Sequence, residues 1–439
     1  MKIAALMPTH QHVYDKKKKH RINIKNYFGL KMIINEIKLK LNLQVDIIDF
    51  NDIDNYDIIL FSQHAISDYY ALVFTMVKKY KKKRNNIWIA GGAGISNVNP
   101  LIEYFDHIII GRGEYLIIDL IKSILANKTL IHKSVVNTAD YTQKKIYEIN
   151  YVDQLYPVAI DNFKEEMYGC KYNCLYCRYR YSALPPNLRS KDKQTTMPGN
   201  EETFWDLNIT SGAFYTTSLD GLTEKIRYKV NKKISNKMVV DKLVQASLTN
   251  KKINLKIYFI IGYPEEQILN FTELEHIFKE IDSKITDCKM FINIHFTPFS
   301  AEPQTPMQWE QMNIITDWRA MFDKMRLLNK YLYRSNKIDV MFMRTTIKPL
   351  ELLKRAVFNR AHFYDMNIIK YLGSHTEQIT HSKNNTEKLA LVLAKYDVSQ
   401  FVDKKEIGSF LASSNITSWQ SDEMIVKQAQ TYRSFRGLP

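Results

Sequence analysis

Cysteine is scarce in this chain: four residues in 439, at positions 170, 174, 177 and 288. That excludes a disulfide-stapled scaffold, and a reducing cytoplasm is the expected setting. Long apolar runs are lacking too. No stretch approaches the roughly 20 residues of a membrane span, so no membrane partner is expected. The start, Met1-Lys-Ile-Ala-Ala-Leu-Met-Pro8, reads as a first β-strand and lacks the form of a signal peptide. Acidic residues are outnumbered, 46 against 62 Lys and Arg, leaving a formal charge of +16. Such a balance suits a polyanionic partner such as nucleic acid. The lysine is diffuse, however, and it accompanies abundant Asn, Ile and Tyr, a bias that an AT-rich coding sequence also produces. Local runs lie at Lys16–Lys19, Lys78–Arg84 and Lys225–Lys233, and the second reads as the solvated end of a helix. What is present is 45% apolar residues, enough for packed cores, and a length that suggests two or three domains.

Three of the four cysteines fall in one run, Met167-Tyr-Gly-Cys-Lys-Tyr-Asn-Cys-Leu-Tyr-Cys177, a C-x3-C-x2-C triplet with Tyr176 before the last thiol. Three thiolates can hold three irons of a [4Fe–4S] cube and leave the fourth iron open. A free coordination position is what a metal centre needs for chemistry rather than structure. The same thiols also allow a structural zinc site in a nucleic-acid-binding protein, with Cys288 as the fourth ligand. Zinc sites more often pair cysteines as two C-x2-C knuckles, a second of which this chain does not have.

Before the triplet, short apolar segments alternate with helical ones. Strands are expected at Lys2–Met7, Val45–Phe50, Asp57–Ser62, Ile87–Ala90 and His107–Ile110. Helices are expected over Ile24–Leu41, Tyr69–Tyr80 and from Glu114 through Leu125. This rhythm predicts a doubly wound parallel sheet with helices on both faces, binding ligands at the carboxyl ends of its strands. Gly91-Gly92 and Gly111-Arg-Gly113-Glu114 follow strands at that edge. Glycines there let a flat ligand approach the backbone, although glycines after buried strands are often only tight turns.

The triplet resembles the signature of the radical S-adenosylmethionine (radical SAM) superfamily, and further segments follow in that family's order. Ser218-Leu-Asp-Gly-Leu-Thr-Glu-Lys-Ile-Arg227 with Asn231-Lys232 resembles a ribose- and carboxylate-contacting segment. In it Asp220 stands for a glutamate and Thr223 for a serine, while Glu224 and Arg227 match. Leu255–Glu266 resembles the strand that flanks the adenine and runs into a Gly-x-Pro-x-Glu turn. Phe291–Pro306 resembles the last core strand and its Pro-x-Thr-Pro loop. Residues 1–126 resemble the cobalamin-binding domain that precedes the core in one branch of the family.

The resemblance implies a [4Fe–4S] cluster on Cys170, Cys174 and Cys177. It implies S-adenosylmethionine against Tyr176, Ser218, Asp220, Glu224, Arg227, Ile260 and Gly262. Cobalamin, where bound, would meet Ser62, Gly91, Gly92, Gly113 and Glu114. An electron donor such as flavodoxin or ferredoxin is the implied partner. The expected organisation is a cobalamin-binding-like sheet over 1–126, a connector over 127–156, a partial (β/α) radical SAM barrel over 157–310 and a mainly helical region over 311–439. Trp318–Tyr331 and Leu350–Phe363 carry helical spacing. The second is basic through Arg355, Arg360 and His362, and reads as a solvated face.

Three departures bear on function. The loop after the first strand, Pro8-Thr-His-Gln-His-Val-Tyr-Asp15, lacks the Asp-x-His-x-x-Gly that ligates cobalt from below. Between Cys177 and Ser218 only about forty residues stand where two strand-helix units are usual, so the barrel is expected to be shortened. The Gly-Gly-Glu turn that grips the cofactor's amino group is not evident, and Gly199-Asn-Glu201 is its nearest counterpart. The expected activity is hydrogen abstraction by a 5′-deoxyadenosyl radical, with a nucleobase or nucleotide in RNA or DNA as substrate, including phage-type hypermodification. Cobalamin-dependent methylation or rearrangement of a small metabolite or peptide is the alternative.

Overall fold

A computed structural model of the chain describes residues 1–6, 28–48, 50–63, 69, 72–73, 84–151, 156–157, 160, 167–168, 172–178, 188–189, 214–264, 266, 271–312, 331–343, 349–374, 392–393, 395–409, 411, 414, 416–417 and 422–435. Cys170, the 8–15 loop, the Gly199–Glu201 segment, most of the lysine run at 78–84 and all of Trp318–Tyr331 except Tyr331 lie outside the described residues.

The first sheet contains β1 (Ile3–Leu6), β2 (Val45–Ile48), β3 (Ile58–Ser62), β4 (Ile87–Gly91), β5 (His107–Ile109) and β6 (Val135–Asn137). Their order is β2-β1-β3-β4-β5-β6, parallel except where β6 runs against β5. Two helices, α1 (Phe28–Leu41) and α2 (Leu116–Leu125), connect strands. Successive strand side chains point to opposite faces, and both faces are apolar, so each needs a cover. Ile3, Ala5, Ile58, Leu60 and Ile89 share one cluster with Leu30 and Ile37 of α1 and Leu120 and Ile121 of α2. Ala4, Leu6, Ile59, Phe61 and Trp88 share another with Tyr69, Leu72, Val73 and Phe105. The expected doubly wound sheet is present. Its parallel order places the topological switch between β1 and β3, whose carboxyl ends form the usual ligand crevice.

The segment after β6 carries β7 (Tyr147–Glu148), which pairs with β15 (Ile416–Thr417) far along the chain. It is also fastened to α1: the Tyr156 hydroxyl donates to Glu36 Oε1 at 2.6 Å and accepts from Asn35 at 3.1 Å.

Next come β8 (Met167–Tyr168) and β9 (Leu188–Arg189), an antiparallel pair on either side of the cysteine run. The second large sheet then builds from β10 (Phe214–Ser218), α3 (Glu224–Lys229), α4 (Asn236–Thr249), β11 (Lys252–Ile261), α5 (Thr272–Lys284), β12 (Lys289–Pro298), β13 (Tyr331–Arg334) and β14 (Ile338–Phe342). The order is β10-β11-β12-β14-β13, with only β13 antiparallel. Strands joined through helices are the repeat of a (β/α) barrel, and the described sheet is a partial one. It extends past residue 310, because β14 pairs with β12 and carries Val340 into the core.

Strand β11 alternates strictly. Ile253, Leu255, Ile257, Phe259 and Ile261 are at most 1% exposed and share a cluster with Leu243 of α4 and Leu274, Ile277, Phe278 and Ile281 of α5. Asn254, Lys256, Tyr258 and Ile260 point to the other face and remain half-buried.

The C-terminal part supplies α6 (Pro349–Arg360), α7 (Met366–Ser374), α8 (Ser399–Val402) and α9 (Asp422–Ser434). The expectation of a solvated basic face on α6 is corrected: Lys354 and Arg360 are buried. The Arg360 guanidinium donates to the carbonyls of Gln308, Glu310, Phe401 and Asp403. It therefore stays charged among backbone dipoles, although burial lowers its pKa to about 10. Among the described residues no helix is long and apolar enough to cross a membrane.

Candidate active site

At the carboxyl ends of β10 and β11 the chain brings together the residues with the most chemistry. Cys174 is buried and Cys177 half-buried. The Cys177 N–H donates to the Cys174 carbonyl at 3.2 Å, so both thiols sit on one tight turn. That turn is held from two sides. Leu175 N–H donates to Val230 O at 3.0 Å, and Met307 N–H to Leu175 O at 3.3 Å. Asn231 Nδ2 donates to Asn173 O at 2.8 Å. The end of α3 and the loop after β12 thus grip the thiol turn.

Ser218 ends β10. The following residues hook over β11, with the Leu219 and Asp220 N–H groups both aimed at Tyr258 O. Asp220 has φ 57°, a left-handed conformation that Asp tolerates better than most residues. Its Oδ2 accepts from Ser218 Oγ at 3.0 Å and pairs with Lys232 Nζ at 3.0 Å. Lys232 Nζ also lies 3.1 Å from Ser218 Oγ and 4.6 Å from the Tyr172 ring centroid. Tyr263 donates its hydroxyl to Asp220 O at 2.8 Å, and its ring lies 6.1 Å from that of Tyr176.

The electrostatics follow from this packing. Burial raises the Cys174 thiol, Lys232 opposes that rise, and Asp220 adds to it. For Lys232 burial disfavours the charge, but Asp220 and then Cys174 outweigh it and hold the ammonium. Burial prevails over the Lys232 cation, so the Cys174 thiol is held above its ordinary value. Two thiols on one turn, with a third four positions earlier in sequence, fit the donor set of an iron–sulfur cluster. Among the described residues no three His, Cys, Asp or Glu side chains converge as a metal site.

Cys288 is placed away from this turn. Ser218 pairs in register with Tyr258 and Tyr258 with His295. Cys288 lies seven residues before His295, towards the opposite end of the sheet. That separation is on the order of 23 Å at about 3.3 Å per extended residue. A zinc site uniting Cys288 with Cys174 and Cys177 is incompatible with this register.

Of the other residues expected to touch the cofactor, Gly262 follows β11 with φ 79° and Ile260 faces the half-buried side of the sheet. Glu224 and Arg227 face elsewhere. Arg227 is 0% exposed, and its guanidinium donates to Ile234 O, Gly221 O and Asn236 Oδ1. Glu224 Oε2 accepts from Asn236 N at 2.7 Å, and Glu273 Oε1 receives Glu224 N at 2.6 Å. These two brace the segment between α3 and α4. The resemblance groups them with Ser218 and Asp220 because all four lie in one short run. The central ion is instead Lys232, the second residue of the Asn231-Lys232 pair.

Glu266 is the glutamate of the Gly-x-Pro-x-Glu turn. Its Oε2 accepts from Gly262 N at 2.6 Å, while the buried Oε1 has no partner. Burial pushes its carboxyl up to about 7, against the pull of the Gly262 and Tyr263 N–H groups.

At the first sheet, Ser62 pairs in register with Gly91. Gly92 has φ 94°, and a Cβ there would overlap the Gln63 carbonyl. The glycine thus serves a close chain crossing. Gly113 packs near Ile109, and Glu114 forms a buried ion pair with Arg112. At this crevice Gln63 Nε2 is buried and without a hydrogen-bond partner. The loop after β4 also meets the second sheet's partners. Arg178, next to Cys177, donates to the carbonyls of Ala93 and Ile95. Gln304 Nε2 donates to Ser96 O at 3.1 Å, and Asn97 Nδ2 to the carbonyls of Phe358 and Ala361. The carboxyl edge of the first sheet therefore abuts the thiol turn.

No family model matches the chain. An uncharacterized protein of Methanocaldococcus jannaschii is 19% identical over 324 residues, 61% of this chain and 71% of the relative. Among solved structures, the cobalamin-dependent S-adenosylmethionine radical enzyme OxsB with aqua-cobalamin bound superposes with a TM-score of 0.44 at 11% identity. The alignment covers 98% of this chain and 79% of OxsB. OxsB with aqua-cobalamin and S-adenosylmethionine bound gives 0.38 at 11% identity, over 98% and 78%.

Proposed function

We propose that the chain is a radical SAM enzyme. The observation that carries this reading is the C-x3-C-x2-C triplet, whose last two thiols share a turn beside Ser218, Asp220 and Lys232 at the carboxyl edge of a parallel sheet. A [4Fe–4S] cluster with S-adenosylmethionine, held there, would supply the radical chemistry needed to abstract hydrogen from an unactivated carbon.

The chain's own residues bind, orient and exclude water. Cys170, Cys174 and Cys177 would hold the cluster. Asp220 and Ser218 present oxygens to hydroxyl groups, and the ion pair with Lys232 keeps the Asp220 carboxylate aimed. Tyr176 and Tyr263 form an apolar wall, with Gly262 admitting close approach to the backbone. Glu224 and Arg227 act as positioning residues for that edge.

The substrate class in this reading is a nucleobase or nucleotide, supported by the +16 charge and the 27 tyrosines, which suit phosphate and base stacking. Cobalamin is a further cofactor in it, for which Gln63 at the switch-point crevice is the supporting feature, and methyl transfer would then be the reaction. Flavodoxin or ferredoxin supplies the electron.

Anaerobic reconstitution tests the proposal. About four irons per chain are expected for one cluster, with 5′-deoxyadenosine released on reduction. One zinc and no cofactor cleavage would refute it. Corrin absorbance retained after desalting tests cobalamin. Binding to single-stranded RNA or DNA that weakens steeply with salt tests the substrate class.

A further inference from the structure

The half-buried face of the second sheet carries a group of side chains to which no role has been given. Register places Ser218, Tyr258 and His295 in one row across β10, β11 and β12, and Thr216, Lys256 and Asn293 in the next. Strands lie about 4.8 Å apart, so His295 stands roughly 10 Å from Ser218 on the same face. Lys256 Nζ lies 4.5 Å from the Tyr258 ring centroid, and the Tyr258 and His295 rings are 5.3 Å apart. Among the described residues no carboxylate pairs with Lys256. Asn293 Oδ1 is buried and has no hydrogen-bond partner.

A lysine in the middle of a sheet, on a face that is neither helix-covered nor fully open, is costly unless something pairs with it. Here its support is the Tyr258 ring, which carries no negative charge. The opposite face of the same strands is closed and apolar, so this is the face available to a ligand next to Ser218, Asp220 and Lys232. Burial and then Lys256 lower the His295 imidazole, which keeps it neutral near pH 7 with one N–H to donate and one lone pair to accept. The unpaired Asn293 oxygen seeks a donor.

Building on the radical SAM reading, we infer that Lys256, Tyr258, Asn293 and His295 form the substrate subsite, and that it takes an anionic group, phosphate or carboxylate, flanked by a hydroxyl or amine. Lys256 and the His295 N–H hold the anion, and Asn293 Oδ1 receives the neighbouring donor. The reactive carbon is thereby fixed on the same sheet face as the proposed cofactor edge.

The test uses the full chain, anaerobically reconstituted and desalted, titrated calorimetrically with inorganic phosphate and, separately, with acetate. Saturable one-to-one binding of phosphate marks a phosphorylated substrate, and saturable binding of acetate a carboxylate. Lys256→Gln and His295→Asn should each weaken that binding by about tenfold or more, the loss expected for a charge-assisted contact. Lys256→Arg, which keeps the charge, should retain most of it and serves if the Gln variant melts early. Exposed Lys251→Gln should bind as wild type. No saturable binding by wild type, binding by Lys256→Gln within about twofold of wild type, or equal weakening in Lys251→Gln would each overturn the inference. Release of 5′-deoxyadenosine is measured on the same wild-type preparation. Its presence without anion binding overturns the subsite alone, whereas its absence overturns the functional reading.

Discussion

Asp220 sits where three demands meet: a left-handed backbone, a carboxylate shared by Ser218 and Lys232, and a carbonyl that accepts from Tyr263. Asp220→Asn would leave Lys232 buried without its counter-charge, and breaking such a pair costs about 3–5 kcal/mol. The denaturant midpoint should fall accordingly, and the double change Asp220→Asn with Lys232→Met should recover part of the loss. Glu266 gives a second prediction, with a defined sign. Its folded-state pKa near 7 lies above the ordinary 4.5. The unfolded chain therefore releases a proton that the folded one keeps, and stability is lost as pH rises between those values. Glu266→Gln removes that loss. Relative to wild type it should gain stability from pH 4.5 to 7, by at most about 3 kcal/mol, and unfolding curves at pH 5 and 7.5 check it. At this scale the sequence reveals the thiols and the Ser218–Asp220 pair, since both reside in short runs. Lys256, Tyr258 and His295 are not legible, because alternation shows that strand residues face two ways but not which face stays open.

Turns and strands carry the next level. Gly91 and Gly92 look equivalent in sequence and differ in structure. A Cβ at Gly91 meets nothing nearer than 3.9 Å, whereas at Gly92 it would overlap the Gln63 backbone at a positive φ. Gly91→Ala should cost under about 0.5 kcal/mol and Gly92→Ala about 2 kcal/mol or more, as thermal unfolding would show. The strand-helix rhythm of the first sheet is legible because both of its faces are apolar and its strands short. Strands β13 and β14 lie beyond residue 310, past an intervening stretch with helical spacing. They complete the sheet through a pairing that local pattern does not encode. The basic spacing of α6 misleads in a similar way: Arg360 spends its charge on four carbonyls rather than on solvent.

Across the molecule, Arg178 joins the two sheets. It follows Cys177 and grips the carbonyls of Ala93 and Ile95 after β4. Arg178→Ala should cost about 1.5–3 kcal/mol, the range for hydrogen bonds to a charged group, and lower the iron retained per chain. Metal analysis after desalting, with hydrogen exchange over residues 93–97, reports both effects. Contacts of this kind join residues far apart in sequence, which is why the separate sheets could be foreseen and their junction could not. The central claim is tested most directly by 5′-deoxyadenosine release from the reduced, anaerobically reconstituted full chain. Wild type and Cys288→Ala should both release it, and Cys174→Ala should not. Release that survives Cys174→Ala, or its absence from wild type, would contradict the account.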